Sequence, residues 1–307
     1  MHRQVLVLKN LEVLSCIDTS GIAEAGLKIV IDTAGGTAAL VLPTLLGRIG
    51  VDVLTVNNRL DELSPSETPA EHMHALEHLG GLVASSRAAF GVRFDPVGER
   101  IALVDERGAI VHDDRALLVL MDLVAAERHS GSIALPITTT RIAEDVARFH
   151  HVTARWAPTS PDELTKAAAA DGVIFAGDGR GGFVVPEFST AIDGIASFVR
   201  LIGLVARTKL TLSQIDARIP QAHVLRKSVP TPWAAKGTVM RSVVEAAGHR
   251  LLDTTDGVRV VEDDGRWVLV LPDPAEAVTH LWAEGVDADS ASSLIEEWAA
   301  VVEEAGN

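Results

Sequence analysis

The sequence predicts an α/β protein: two duplicated α/β domains with βαβ units and mixed sheets, followed by a small α+β domain with an antiparallel sheet. Three observations carry this. Residues 27–56, LKIVIDTAGGTAALVLPTLLGRIGVDVLTV, run from a β-branched strand through a Gly35-Gly36 turn into an apolar-periodic helix and back to strand. Two later segments, GVRFDPVGERIALVDERG and GVIFAGDGRGGFVVPEF, share one grammar: Gly-Val-x-Phe, a tight polar loop, and an apolar return strand. Beyond Pro220, Pro230 and Pro232 the pattern changes to a hairpin, GVRVVEDDGRWVLVLPD, and a closing amphipathic helix.

In chain order, Ile29 to Ile31 supplies the first strand, Ala38 to Ile49 a helix stopped by Gly50, and Val51 to Val56 a second strand. Pro69 opens a helix through HMHALEHL. Val92 to Phe94 then starts a hairpin, expected to turn at Glu106-Arg107-Gly108. Asp113 to Arg128 reads as helix, and SIALPITTTRIAEDVARFHHVTARW repeats strand, Ser/Thr-rich turn, helix and strand. A helix through DELTKAAAA, one from Asp193 to Arg207 and a short one near Leu212 to Arg218 complete the second unit. The prolines mark a linker, followed by the helix AAKGTVMRSVVEAAG, the hairpin turned at Asp263-Asp264-Gly265, the strand THLWAEGV and the helix ASSLIEEWAAVVEEAG. The expected domains are 1–109, 110–219 and 220–307.

Composition narrows the function. The 307 residues are 47% hydrophobic, 22% charged and only 4% aromatic, as in a globular protein with real cores. A formal charge of −15 argues against nucleic acid or an anionic membrane surface as partner, since both need basic patches. Cys16 is the single cysteine, so neither a disulfide framework nor a thiolate zinc site is expected. The run MHRQVLVLKN is too short for a signal peptide and no stretch approaches a membrane span, which points to the cytoplasm.

Four loops, taken in order, resemble those of the α-D-phosphohexomutase superfamily, which includes phosphomannomutases and phosphoglucomutases. They are VIDTAGGTAALVLPTLL, FDPVGERIALVDERG, FAGDGRGGFVVPEF and VLVLPDPAEA. The likeness covers nearly the whole chain and corresponds to the family's last three domains. PWAAKGTVMR, DGVRV and WVLVLPDPAEA are closer still to the mutase-like C-terminal region fused to mannose-1-phosphate guanylyltransferases. The family's phosphoserine turn, Thr-Ala-Ser-His-Asn-Pro, does not occur here, so a truncated natural protein or one piece of a longer chain is expected, with a nucleotidyltransferase region upstream.

The resemblance assigns roles residue by residue. Family metal loops read Asp-Gly-Asp-Ala-Asp-Arg; here Asp95, Pro96, Val97, Gly98, Glu99 and Arg100 stand there. Asp95 and Glu99 are thus vestigial metal ligands. With the middle oxygen gone, Mg²⁺, which demands near-octahedral geometry, should bind weakly at most. The plainer reading makes Asp95 a turn cap and Arg100 the partner of a nearby carboxylate. Sugar loops read Gly-Glu-x-Ser-Gly-Gly; Gly177, Asp178, Gly179, Arg180, Gly181 and Gly182 replace them. Asp178 could accept sugar hydroxyls and Arg180 could meet a phosphate, with Gly177, Gly181 and Arg100 completing the substrate loop; two solvated charges on a glycine-rich turn is the alternative. Phosphate loops read Arg-Pro-Ser-Gly-Thr-Glu-Pro, whereas Leu271 to Ala277 here carry no cation and no hydroxyl, and Asp273 and Glu276 would repel a phosphate.

Other candidates weigh less. Gly35-Gly36 lacks the lysine of a P-loop and reads as a tight βα turn. His74 and His78 share a helical face with His72 nearby, but a solvated face outweighs a zinc site. His150-His151 reads as a helix C-cap, and Trp282 and Trp298 as packing of the small domain.

No catalytic residue is therefore assigned. The leading expectation is a degenerate phosphohexomutase-like module without the phosphoserine domain, with no resident cofactor. It would serve phosphosugar or nucleotide-sugar sensing, or assembly, in a mannose-1-phosphate guanylyltransferase-type protein. The alternatives are part of an active phosphomannomutase or phosphoglucomutase, and a non-binding scaffold for homo-oligomerisation.

Overall fold

The computed structural model describes residues 13–19, 21–61 and 67–306. The N-terminal run weighed above as a leader lies outside them.

The first sheet has the strand order β2-β1-β3-β4-β5. Strands β1 (Lys28–Asp32), β2 (Asp52–Val56) and β3 (Phe90–Phe94) are parallel, while β4 (Ile101–Val104) and β5 (Ile110–Val111) return antiparallel. A short helix α1 (Ile22–Ala25) precedes β1, and α2 (Ala38–Ile49) crosses from β1 to β2. Gly50 ends α2 at φ 78°, a left-handed conformation glycine adopts without strain, and its N–H closes onto the Leu46 carbonyl. Helix α3 (Pro69–Ser86) opens with a Thr68–Glu71 capping box and buries Leu76, Leu79 and Val83 against Val30 and Val104.

The second sheet, ordered β7-β6-β8-β9, is built from β6 (Ser132–Pro136), β7 (Thr153–Ala157), β8 (Val173–Gly177) and β9 (Phe183–Val184). Its helices are α4 (Asp113–Arg128), α5 (Ile142–Phe149), α6 (Pro161–Ala168), α7 (Gly194–Thr208) and α8 (Leu212–Asp216). The third sheet is wholly antiparallel in the order β10-β14-β13-β12-β11. It comprises β10 (His223–Pro230), β11 (Leu251–Asp253), β12 (Val258–Val261), β13 (Trp267–Pro272) and β14 (Val278–Gly285), with α9 (Lys236–Ala247) and α10 (Ala288–Gly306). Val229, Val239, Val243, Val260, Leu281 and Trp298 form its core. Two mixed α/β sheets and a C-terminal antiparallel one make up the fold class expected from the sequence. Among the described residues no helix is long and apolar enough to cross a membrane.

Two local expectations are corrected and a third is refined. The hairpin that begins at Val92 turns at residues 95–100, and the Glu106-Arg107-Gly108 turn instead leads β4 into β5. The supposed proline linker contains the eight-residue strand β10; it lies at a sheet edge, with Pro230 as its last residue, where a missing N–H is tolerated. The His150-His151 cap is present in the backbone, with His151 at φ 62° and the N–H groups of His151 and Val152 closing onto the carbonyls of Arg148 and Ala147, while the His150 side chain turns away, its Nε2 2.7 Å from Asp122 Oδ1 on α4.

The described residues group into two compact units, one of them residues 220 onward together with segments 136–142 and 156–159. Within that unit the buried Glu284 carboxylate takes hydrogen bonds from Thr140 Oγ1, Trp267 Nε1 and, at 2.9 Å, the Arg141 backbone N–H. Removing the carboxylate strands three buried donors. Glu284→Ala should cost about 3–5 kcal/mol. Urea unfolding followed by far-UV circular dichroism measures this, and Glu284→Gln, which keeps one acceptor, should cost less.

Candidate functional site

The site is built from two loops at strand ends. Strand β3 is buried throughout and delivers Asp95 at its carboxyl end; β4 takes the chain away from Arg100. Between them the Asp95 Oδ1 accepts the backbone N–H groups of Glu99 at 2.8 Å and Arg100 at 3.0 Å. Gly98 sits at φ 78° and donates its N–H to the Asp95 carbonyl. The loop is also tied from outside. The carbonyls of Pro96 and Val97 accept from Thr37 N and Thr37 Oγ1, and that of Gly98 accepts from Gly194 N. Gly36 belongs to this packing, since a Cβ there would lie 2.3 Å from the Pro96 carbonyl oxygen.

The second loop repeats the device. Asp178 follows β8, and its Oδ1 accepts Arg180 N at 2.8 Å and Gly182 N at 3.0 Å. Its other oxygen accepts Arg100 Nη1 at 2.6 Å, and the same nitrogen donates to the Arg180 carbonyl at 2.9 Å. Backbones meet as well: Arg100 and Gly182 form an isolated antiparallel bridge, and Ile101 N donates to the Gly181 carbonyl at 2.9 Å. Gly181 lies at φ 77°, and a Cβ on it would stand 2.5 Å from the Ile101 carbonyl oxygen, so only glycine fits the junction.

The structure thus brings Asp95, Arg100, Gly177, Asp178 and Gly181 into one two-loop junction and leaves Glu99 and Arg180 at its surface. Neither of those two side chains has a hydrogen-bond or ion-pair partner among the described residues.

The donor set does not suit the Mg²⁺ that the family's metal loop implies. Asp95 spends one oxygen on the turn, Val97 carries no oxygen and is 62% exposed, and the carbonyls of residues 96–98 are engaged by Thr37 and Gly194. Among the described residues no group of three His, Cys, Asp or Glu side chains is placed to hold a metal ion, the histidines of α3 included. His72 there contacts Glu67, and His74 contacts Glu77.

The third loop, at residues 272–277, is closed on its own groups. Asp273 Oδ1 accepts Ala275 N and Glu276 N, each at 2.7 Å, and Oδ2 lies 3.1 Å from His280 Nε2. Lys236 Nζ donates to the carbonyls of Asp273 and Glu276 and rests 3.7 Å above the Trp233 ring. The Ala275 N–H first, and then His280, hold the Asp273 carboxyl below its ordinary value. Sequence reading missed Lys236 and His280. His280 could have been found from strand alternation in THLWAEGV, but Lys236 had no local signal.

The comparisons agree with this architecture. The family profiles for the α/β/α domains II and III of phosphoglucomutase/phosphomannomutase match residues 8–108 and 112–223. A probable phosphoglucosamine mutase of Methanopyrus kandleri is 29% identical over 297 residues, covering 95% of this chain and 65% of that protein. A phosphoglucomutase/phosphomannomutase of Thermococcus kodakarensis is 25% identical, covering 94% and 63%. Among solved structures, a phosphoglucomutase/phosphomannomutase family protein from Burkholderia thailandensis superposes with a TM-score of 0.77 at 19% identity, over 94% of this chain and 63% of that one, a likeness of fold. The chain belongs to the α-D-phosphohexomutase superfamily. It spans somewhat less than two thirds of the length of these relatives.

Two outcomes follow from the geometry. Arg100 and Asp178 should show a coupling of about 1–3 kcal/mol in a double-mutant cycle of Arg100→Ala and Asp178→Ala, read by chemical unfolding. For Asp273 the folded pKa is depressed, so its contribution is present above the ordinary aspartate value of 3.8 and is lost as pH falls through the folded value. The amide NMR signals of Ala275 and Glu276 should shift as the pH falls through that folded value, and Asp273→Asn should remove the transition.

Proposed function

We propose that this chain is a sugar-phosphate-binding module of the phosphohexomutase type that does not itself transfer the phosphoryl group. One observation carries the reading: at all three loops the leading carboxylate, and with it Arg100, is engaged by the protein's own atoms, and only Glu99 and Arg180 are left over. Asp95 and Asp178 hold their turns, Arg100 holds Asp178, and Asp273 takes the backbone N–H groups of its own loop. Phosphoryl transfer needs a cation and a clamp for the charged oxygens, and neither donor set is available here. Arg180 has no partner among the described residues and is the group suited to a ligand phosphate. The context we favour is a sensing or assembly role in a cytoplasmic protein of the mannose-1-phosphate guanylyltransferase type, for which PWAAKGTVMR and WVLVLPDPAEA are the support.

The second reading is part of a working mutase. It is supported by the names of the relatives, which are mutases of hexose or hexosamine phosphates; they favour this reading more than the first, and none supports the guanylyltransferase context. An assay of the longest natural chain with mannose 1-phosphate or glucosamine 1-phosphate, primed with glucose 1,6-bisphosphate, separates the two. No turnover, together with calorimetric binding of mannose 1-phosphate or GDP-mannose that Arg180→Ala abolishes, is expected. Turnover lost on Asp95→Ala would establish the mutase. No turnover and no heat with either ligand would leave a scaffold.

A further inference from the structure

The strand order β2-β1-β3 makes the chain leave β1 on one side and return on the other. Carboxyl ends of strands at such a switch point form crevices where open α/β sheets take ligands. A cavity of about 670 Å³ opens there, sharing only Pro96 with the Asp95 loop. Its wall is made by Gly35 after β1, by Asn57, Asn58 and Arg59 after β2, and by Arg93 from β3.

Arg93 is the built element. It is 5% exposed; Nη2 donates to Glu67 Oε1 at 2.6 Å, and Nε lies 3.1 Å from Asp32 Oδ2 but off the hydrogen-bond line. Nη1 has no partner among the described residues. The carboxylates around it are spoken for: Asp32 Oδ1 accepts Ala34 N and Asn57 Nδ2, and Glu67 Oε2 meets His72. By contrast, the Asn58 amide and the Arg59 guanidinium make no hydrogen bond or ion pair among the described residues.

Two conclusions about the ligand follow. Arg59 and Arg93 are outnumbered by Asp32, Asp61 and Glu67, so a phosphate dianion would meet a net negative surround. The free groups are planar: Arg93 Nη1 and the Arg59 guanidinium donate, and the Asn58 amide both donates and accepts, a set that suits adjacent hydroxyls, each of which can accept and donate in turn. Among the described residues no aromatic ring lines the cavity to stack on a base. We propose that this cavity binds a neutral polyol of hexose size, independently of the Asp95 and Asp178 loops.

Saturation-transfer NMR on the longest natural chain, with D-mannose and D-glucose as probes and inorganic phosphate as competitor, tests this. Asn58→Leu and Arg59→Leu alter exposed side chains without partners and should leave the melting temperature unchanged. Saturable binding of at least one hexose is expected, weakened roughly tenfold by each variant and insensitive to phosphate. Absence of saturable binding by both hexoses, binding unchanged in both variants, or displacement by phosphate would each overturn the proposal.

Discussion

The junction of Arg100 with Asp178 is the constraint around which the first compact unit is organised. The Arg100 side chain is 32% exposed and that of Asp178 only 12%, so the pair sits where solvent screens it incompletely. Desolvation of such a pair is offset only when the remaining hydrogen-bonding capacity is used. Here it is: two backbone N–H groups fix Asp178, and the Arg180 carbonyl takes a second bond from the same guanidinium nitrogen. The ion pair therefore joins two turns already made rigid by their own carboxylates. The adjoining backbone bridge, open only to glycine at position 181, holds the two sheets' loops in a fixed register.

That arrangement explains why an aspartate begins both loops. A carboxylate that accepts two or more backbone N–H groups closes a tight turn whatever the loop later does, because buried or half-buried donors must be satisfied. Asp95 and Asp178 each perform this service in the same place after a strand. Their presence in the sequence reports the turn first. Chemistry would be reported by the groups that the turn leaves over, and those differ between the copies: a carboxylate at Glu99 and a guanidinium at Arg180.

Much of the fold was legible because it is local. The strand–turn–helix pattern, the Gly50 stop and the Asp263-Asp264-Gly265 turn are set by nearest neighbours along the chain, and the structure has them. What was not legible depends on partners distant in sequence. Prolines 220, 230 and 232 carry a loop signal, but β10 is stabilised by pairing with β14, about fifty residues on. The backbone of His150 and His151 ends its own helix, as read locally, but the His150 side chain is drawn to Asp122 on another helix. The loops of the site were found by composition, yet that Arg100 faces Asp178, across 78 residues of chain, is a fact of topology.

The loop at residues 272–277 carries the same physics to its end point. A loop whose backbone N–H groups converge needs an acceptor, and a ligand anion is one source of it. Here the acceptor is internal. Asp273 supplies the negative charge, His280 steadies its second oxygen, and Lys236 takes the outward carbonyls that would otherwise face solvent. An external phosphate would have to displace a covalently tethered carboxylate, whose effective concentration no free ligand matches, and would then lie beside that same charge. A tethered anion of this kind keeps the loop's shape while removing its dependence on a ligand. In this chain the loop's shape is thus held by its own carboxylate.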